Sequence, residues 1–142
     1  MNLNIKHILN PVFQDYKYIA AAYLFGSLAQ GKAGVLSDVD IAILLKDNAP
    51  SGVKLLDEEN FLEYKISSSL GFKKVDLIIL NHQGLVFQHN VLRTGKLIYE
   101  KDSEFRKRFE MRVIINFCDF KPTLDFMEKY HIKGRLRRCE TI

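Results

Sequence analysis

Two apolar runs, VDIAILL at 39–45 and VDLIIL at 75–80, constrain this 142-residue chain more than any other feature. Both are apolar at odd and even positions alike, the pattern of strands covered on both faces or fully buried. Both also carry an aspartate just before the apolar core, Asp40 and Asp76. A charge at the mouth of a buried strand is costly unless something compensates it, so the echo raises a chemical question along with a structural one.

The rest of the chain alternates helix and strand patterns. Ile5, Ile8, Leu9, Val12, Phe13 and Tyr16 repeat at helical spacing, with Pro11 either interrupting the helix or starting a second short one after Asn10. AAAYLF (20–25) reads as a short buried strand ended by Gly26, and DVDIAILL (38–45) as the next strand. Residues 54–70 read as an amphipathic helix with Leu55, Phe61, Leu62, Ile66 and Leu70 on its apolar face and Gly71 as its C-cap. KVDLIIL (74–80) is a third strand, 83–95 a short helix closed by Gly95, and KLIYE (96–100) a fourth strand. Asp102 or Ser103 then opens a long helical region, which Pro122 is expected to divide into helices over about 103–120 and 122–132. The alternation gives an α/β class. We expect one domain over 1–142: a core at about 5–100, a helical extension at 103–132 and a basic, disordered tail at 133–142.

Composition excludes several classes. No apolar run reaches the roughly 20 residues of a membrane span, and MNLNIKHILN lacks the apolar stretch of a signal peptide. A soluble, cytoplasmic protein is expected. Cys118 and Cys139 stand far apart without CxxC spacing, so neither a disulfide framework nor a zinc site is expected. His7, His82, His89 and His131 are scattered; His82, just after the Asp76 strand, is the one expected nearest a site there. Arg93 and Lys96 flank a turn and are read as mainly solvated, with phosphate contact as the alternative. The net charge of +4 sits wholly in residues 101–142, which hold 11 basic and 7 acidic residues. In that segment Phe105, Phe109, Val113, Phe117, Phe120, Leu124 and Met127 form an aromatic-rich series, read mainly as core and partly as a surface for a partner.

Alternation along a strand puts Asp38 and Asp40 on one face. If the Asp76 strand lies alongside, three carboxylates gather at one end of the sheet and raise one another's pKa values. A divalent cation relieves that repulsion, and oxygen-only ligands suit Mg²⁺ or Mn²⁺. Two such ions clamp the attacking and leaving oxygens of a phosphoryl-type transfer. Upstream, Gly26 and Gly31 permit a tight turn whose backbone N–H groups, with the Ser27 hydroxyl and Lys32, suit the phosphates of a nucleotide. Ser-Asp before a strand is also ordinary turn chemistry, but the combination is far more specific than a lone DxD.

GSLAQGKAGVLSDVD (26–40) closely resembles the GSxxxGxxxxxSDxD signature of the DNA polymerase β-like nucleotidyltransferase superfamily. LFGS, SDVDIAILL, KVDLIIL and VLRTGKLIYEKD look like its minimal nucleotidyltransferase (MNT) branch, over roughly 5–130, and the C-terminal helices resemble those of the antitoxins that pair with HEPN-domain toxins. The resemblance implies a small mixed β-sheet core flanked by helices, Mg²⁺ as two ions, and AMP transfer from ATP to a tyrosine of a HEPN ribonuclease toxin within a hetero-oligomer. Neither a membrane nor direct nucleic-acid binding is expected. By the same resemblance Asp38 and Asp40 are metal ligands and Asp76 is the third catalytic carboxylate, acting as base or ligand. Gly26 and Ser27 form the phosphate turn, and Ser37 and Lys32 are further nucleotide contacts. Gln30 departs from the pattern, standing where arginine is frequent. Two other functions remain open: an antitoxin that neutralises by binding alone, and a transferase acting on a small molecule such as an antibiotic, which the lack of a large second domain disfavours.

Overall fold

A computed structural model describes residues 2–32, 34 and 37–140, with side chains described within 4–131. Among these residues there are five α-helices and a four-stranded sheet: α1 (Asn2–Gln14), β1 (Ile19–Phe25), α2 (Gly26–Ala29), β2 (Val39–Leu45), α3 (Gly52–Ser69), β3 (Val75–Ile79), a 3₁₀ turn (Leu80–His82), α4 (Leu85–Thr94), β4 (Lys96–Glu100) and α5 (Ser103–Glu140). The strand order is β3-β2-β1-β4. β1 runs antiparallel to both β2 and β4, and β2 runs parallel to β3, so the sheet is mixed. The α/β class, the mixed sheet and all four strands match expectation.

The two-faced apolar strands are explained by a helix layer on each side. On one face Ile5, Leu9 and Phe13 of α1 and Leu62 and Ile66 of α3 pack on Ala22, Leu24, Ile41, Ile43 and Leu77. On the other, Val91 of α4 and Phe109 and Val113 of α5 pack on Ala20, Ala21, Tyr23, Ala42 and Leu44. The alanines on that second face let the helices approach closely. Complete burial of a large apolar side chain such as Phe13 or Leu9 stabilises by roughly 1.5–3 kcal/mol.

α5 is fastened by polar contacts at its start. Asp102 caps it, accepting the Phe105 N–H at 3.0 Å and pairing with Lys46 at 3.2 Å. The Phe105 amide first, then Lys46, hold the Asp102 carboxyl below its usual range. One turn on, the Tyr23 hydroxyl donates to Glu110 at 2.7 Å, and Arg106 donates to both Glu110 oxygens at 3.0 Å and to Glu100 at 3.1 Å. Burial, reinforced by Glu110, pushes the Tyr23 hydroxyl well above the usual tyrosine range.

Three expectations are corrected. Pro11 lies inside a single helix α1, and Pro122 lies inside a single helix α5. Each proline deprives one carbonyl of its i+4 donor, on His7 and Cys118 respectively. Both residues are exposed, so water can take the missing donor's place. The backbone of α5 also continues to Glu140, in place of the expected disordered tail; the side chains of that segment lie outside the described residues. The aromatic series of α5 is core only at first: Phe109 and Val113 are buried, Phe117, Phe120 and Leu124 half-buried and Met127 exposed.

Gly95 joins α4 to β4, and its backbone passes close to the last turn of α4 and to β1. A Cβ there would lie 2.5 Å from the Val91 carbonyl oxygen and 3.0 Å from that of Leu24. Neither can rotate away, so Gly95→Ala is expected to destabilise the fold by about 1–3 kcal/mol, the range for overpacking, as read from the midpoint of urea unfolding.

Candidate active site

The parallel register of β2 and β3 pairs Asp40 directly with Asp76 and Val39 with Val75. Paired residues in a sheet share a face, so the two carboxylates stand side by side. The antiparallel register of β1 brings Phe25 opposite Asp40, and Gly26, the next residue, begins α2 at the same mouth. One row therefore runs Asp76, Asp40, Phe25 across three strands.

Gly26 has φ +74°, and a Cβ on it would collide with the Asp40 carboxylate. Glycine is required there twice over, by the backbone conformation and by the approach of the Asp40 side chain. Gly31 also has positive φ, +71°. No side chain caps α2, which leaves first-turn amides for an external acceptor, with the half-buried Ser27 among them. The turn closes on itself as the Lys32 N–H donates to the Ser27 carbonyl at 2.9 Å.

Electrostatics mark Asp40. Partial burial first, then the charges of Asp76 and Asp38, raise its carboxyl above the usual aspartate range. Asp38 pairs with the Lys74 ammonium at 3.6 Å, and the Lys74 carbonyl accepts the Val39 N–H at 3.0 Å. Among the described residues no three His, Cys, Asp or Glu side chains form a ready-made metal cage. The expected three-carboxylate set is thus present as an adjacent pair, Asp40 and Asp76, with Asp38 beside it and occupied by a lysine. The donor chemistry still fits Mg²⁺, which is held by one or two carboxylates together with substrate phosphates and water.

Other expected residues take different positions. The Ser37 hydroxyl accepts the Gly34 N–H at 2.9 Å, and the Ser37 N–H returns a bond to the Gly34 carbonyl at 3.2 Å, a local turn. Lys32 is exposed. His82 lies in the 3₁₀ turn beyond the far end of β3 from Asp76. There Asn81 fixes the strand ends, bonding the Leu45 N–H and carbonyl at 2.8 Å each. His89 stacks on Phe117 with ring centroids 3.6 Å apart, a packing role. Lys96 pairs with Leu24 in the sheet and so lies at the site end, while Arg93 bonds Asn90 at 3.2 Å. Lys74 does not stand out in the sequence, although aligning KVD with DVD sets it opposite Asp38.

Paired carboxylates facing a glycine turn define a layout for phosphoryl-type transfer. The model of the Polymerase beta, Nucleotidyltransferase family matches residues 7–104, and the chain belongs to that family. It is 30% identical to the protein adenylyltransferase MntA of Aphanizomenon flos-aquae (strain 2012/KM1/D3) over 112 residues, 73% of this chain and 72% of that protein. Its fold resembles a toxin-antitoxin crystal structure with AMP-PNP, at a TM-score of 0.66 and 23% identity over 87% of this chain and 98% of that one. It also resembles the complex of a tri-AMPylated Shewanella oneidensis HEPN toxin with its MNT antitoxin, at a TM-score of 0.63 and 21% identity over 90% and 99%. No helix among the described residues is long and apolar enough to cross a membrane.

The strain on Asp40 has a measurable sign. A carboxyl whose folded-state pKa is raised destabilises the folded state above that pKa, and the penalty fades as pH falls through it. Asp40→Asn is therefore expected to unfold at a higher temperature than the native chain at pH 7 in chelator, with the gain shrinking as pH falls towards the ordinary aspartate range, about pH 4. Thermal scans at the two pH values check this.

Proposed function

We propose that this chain is a Mg²⁺-dependent adenylyltransferase antitoxin that moves AMP from ATP to a tyrosine of a HEPN-domain toxin. The observation that carries this is the in-register Asp40–Asp76 pair beside Gly26, supported by the similarity to a protein adenylyltransferase. Asp38 and Asp40 would hold the nucleotide-associated Mg²⁺, and the Gly26-Ser27 turn the phosphates. Bound there, Mg²⁺ supplies neutralisation of phosphate charge and of the carboxylates' repulsion. Asp76, on the edge strand and exposed, accepts the proton of the tyrosine hydroxyl. That oxygen bonds the α-phosphorus, the bond to the β-phosphate oxygen breaks, and pyrophosphate leaves.

A second reading, neutralisation by binding alone, is favoured by α5. Met111 and Ile115 are 63% and 53% exposed on the side opposite Phe109 and Val113, and Phe126, 59% exposed, continues the line about three turns on. An apolar stripe on the unpacked side of a helix suits a partner's surface. The double variant Asp38→Ala, Asp40→Ala decides between the readings. Loss of neutralisation at native expression supports transfer, and full retention supports binding alone.

Labelled ATP with Mg²⁺ and the HEPN partner is expected to label the partner; absence of label with folded chain would count against transfer. Asp76→Asn is expected to keep most Mg·ATP affinity and lose transfer by a factor on the order of 10²–10⁴, the range for a lost general base. Asp38→Asn and Asp40→Asn are expected to weaken both. Calorimetric titration with a non-hydrolysable analogue, beside single-turnover transfer, separates the two effects.

A further inference from the structure

The loop from α3 to β3 contains a conformation that the end of the helix does not need. α3 stops in a Schellman motif: the Phe72 N–H donates to the Ser67 carbonyl at 2.8 Å, and the Gly71 N–H to the Ser68 carbonyl at 3.3 Å. That motif asks for one left-handed residue, and Gly71 with φ +75° supplies it. Yet Phe72 is left-handed as well, with φ +62°. For a bulky side chain this is a true outlier. In many such motifs the residue after the glycine folds an apolar side chain back on the last turn. Here the last turn offers serines, and Phe72 stays 75% exposed.

The loop is nonetheless held firmly. The Ser67 hydroxyl donates to the Lys73 carbonyl at 2.6 Å, and the Lys74 carbonyl accepts from Val39 at the start of β2. A strained backbone, an exposed aromatic ring and a pinned loop occur together, and none of them serves the core. They occur beside the site. Phe72 is four positions from Asp76 in sequence, a span of at most about 14 Å. β3 is an edge strand, so among the described residues no strand of the sheet lies beyond Asp76.

We infer that Phe72 docks the acceptor protein, its ring receiving an apolar side chain of the segment that carries the hydroxyl to Asp76. Lys73, the next residue, is exposed and adds positive charge beside the ring in sequence, while Lys74 is engaged with Asp38; the complementary segment therefore sets a carboxylate next to that apolar residue. The inference rests on the proposed transfer to a HEPN-domain protein, and it adds to that reading a residue that selects the acceptor without touching the nucleotide. Phe72 is a specificity residue here, with no role in holding ATP.

Phe72→Gly suits the test, because glycine accepts the positive φ and removes only the ring. Compared with the native chain, it is expected to keep or raise the thermal midpoint and to keep the KM for ATP within about two-fold. The KM for the HEPN protein is expected to rise about ten-fold or more, as for a central contact residue. Titration of the HEPN protein without nucleotide should show the same loss of affinity, and Phe72→Leu should restore most of it. Unchanged acceptor KM and affinity in Phe72→Gly would overturn the inference. Native chain that binds the HEPN protein but transfers no AMP overturns the transfer reading while the titration still judges Phe72; native chain that binds none overturns both.

Discussion

Everything at the mouth of the sheet depends on keeping two like charges adjacent. β2 and β3 are parallel and in register, and the register sets Asp40 against Asp76. Repulsion between them, added to the partial burial of Asp40, opposes the very pairing that both strands' apolar cores enforce deeper in the sheet. Ile41, Ile43, Leu77 and Ile79 are buried in one cluster, and slipping the register by one residue would turn that whole set to the other face. The core can therefore hold the carboxylates in a geometry they would not choose. This is a common relation between a stable scaffold and a site that works against stability.

Much of the site is legible in the sequence because strand periodicity is simple. Alternation alone puts Asp38 and Asp40 together, and the repeated VD points to Asp76 as their neighbour. Gly26 is legible as a turn residue. Its second function, making room for the Asp40 carboxylate, is not, because that requires knowing which strand lies beside it. Lys74 is hidden for the same reason. Its partner is 36 positions away in sequence and becomes a neighbour only through the parallel pairing.

The helices are less legible where proline occurs. Propensity alone marks Pro11 and Pro122 as interruptions, and both helices run through them. Propensity describes a helix with nothing else to hold it. α1 is held by Ile5, Leu9 and Phe13 in the core. α5 is held by Phe109, Val113 and the Arg106–Glu110–Tyr23 bonds, all of which precede its proline. His7 and Cys118, whose carbonyls lose their donors, are exposed, so water offsets part of the cost. His82 illustrates a different limit. Its nearness to Asp76 in sequence does not become nearness in space, because the full length of β3 lies between them.

The antiparallel insertion of β1 decides which helix ends meet at the mouth. In an all-parallel sheet the carboxyl ends of the strands share one edge, and the helix N-termini that follow them gather there. Here β2 and β3 begin at the mouth while β1 ends there, so α2, the single turn that follows β1, presents its amide end at the mouth. α3 and α4 arrive with their carbonyl ends, through Leu70–Gly71 and Thr94–Gly95. A helix C-terminus favours positive charge by about 0.3–1 kcal/mol where solvent is near, and an N-terminus favours negative charge similarly. One edge of this sheet is thus polarised in two senses, cation-seeking around the carboxylates and anion-seeking at Gly26. An ion pair laid across β2 and β1, metal towards one strand and phosphate towards the other, would find each half of the backbone already oriented for it.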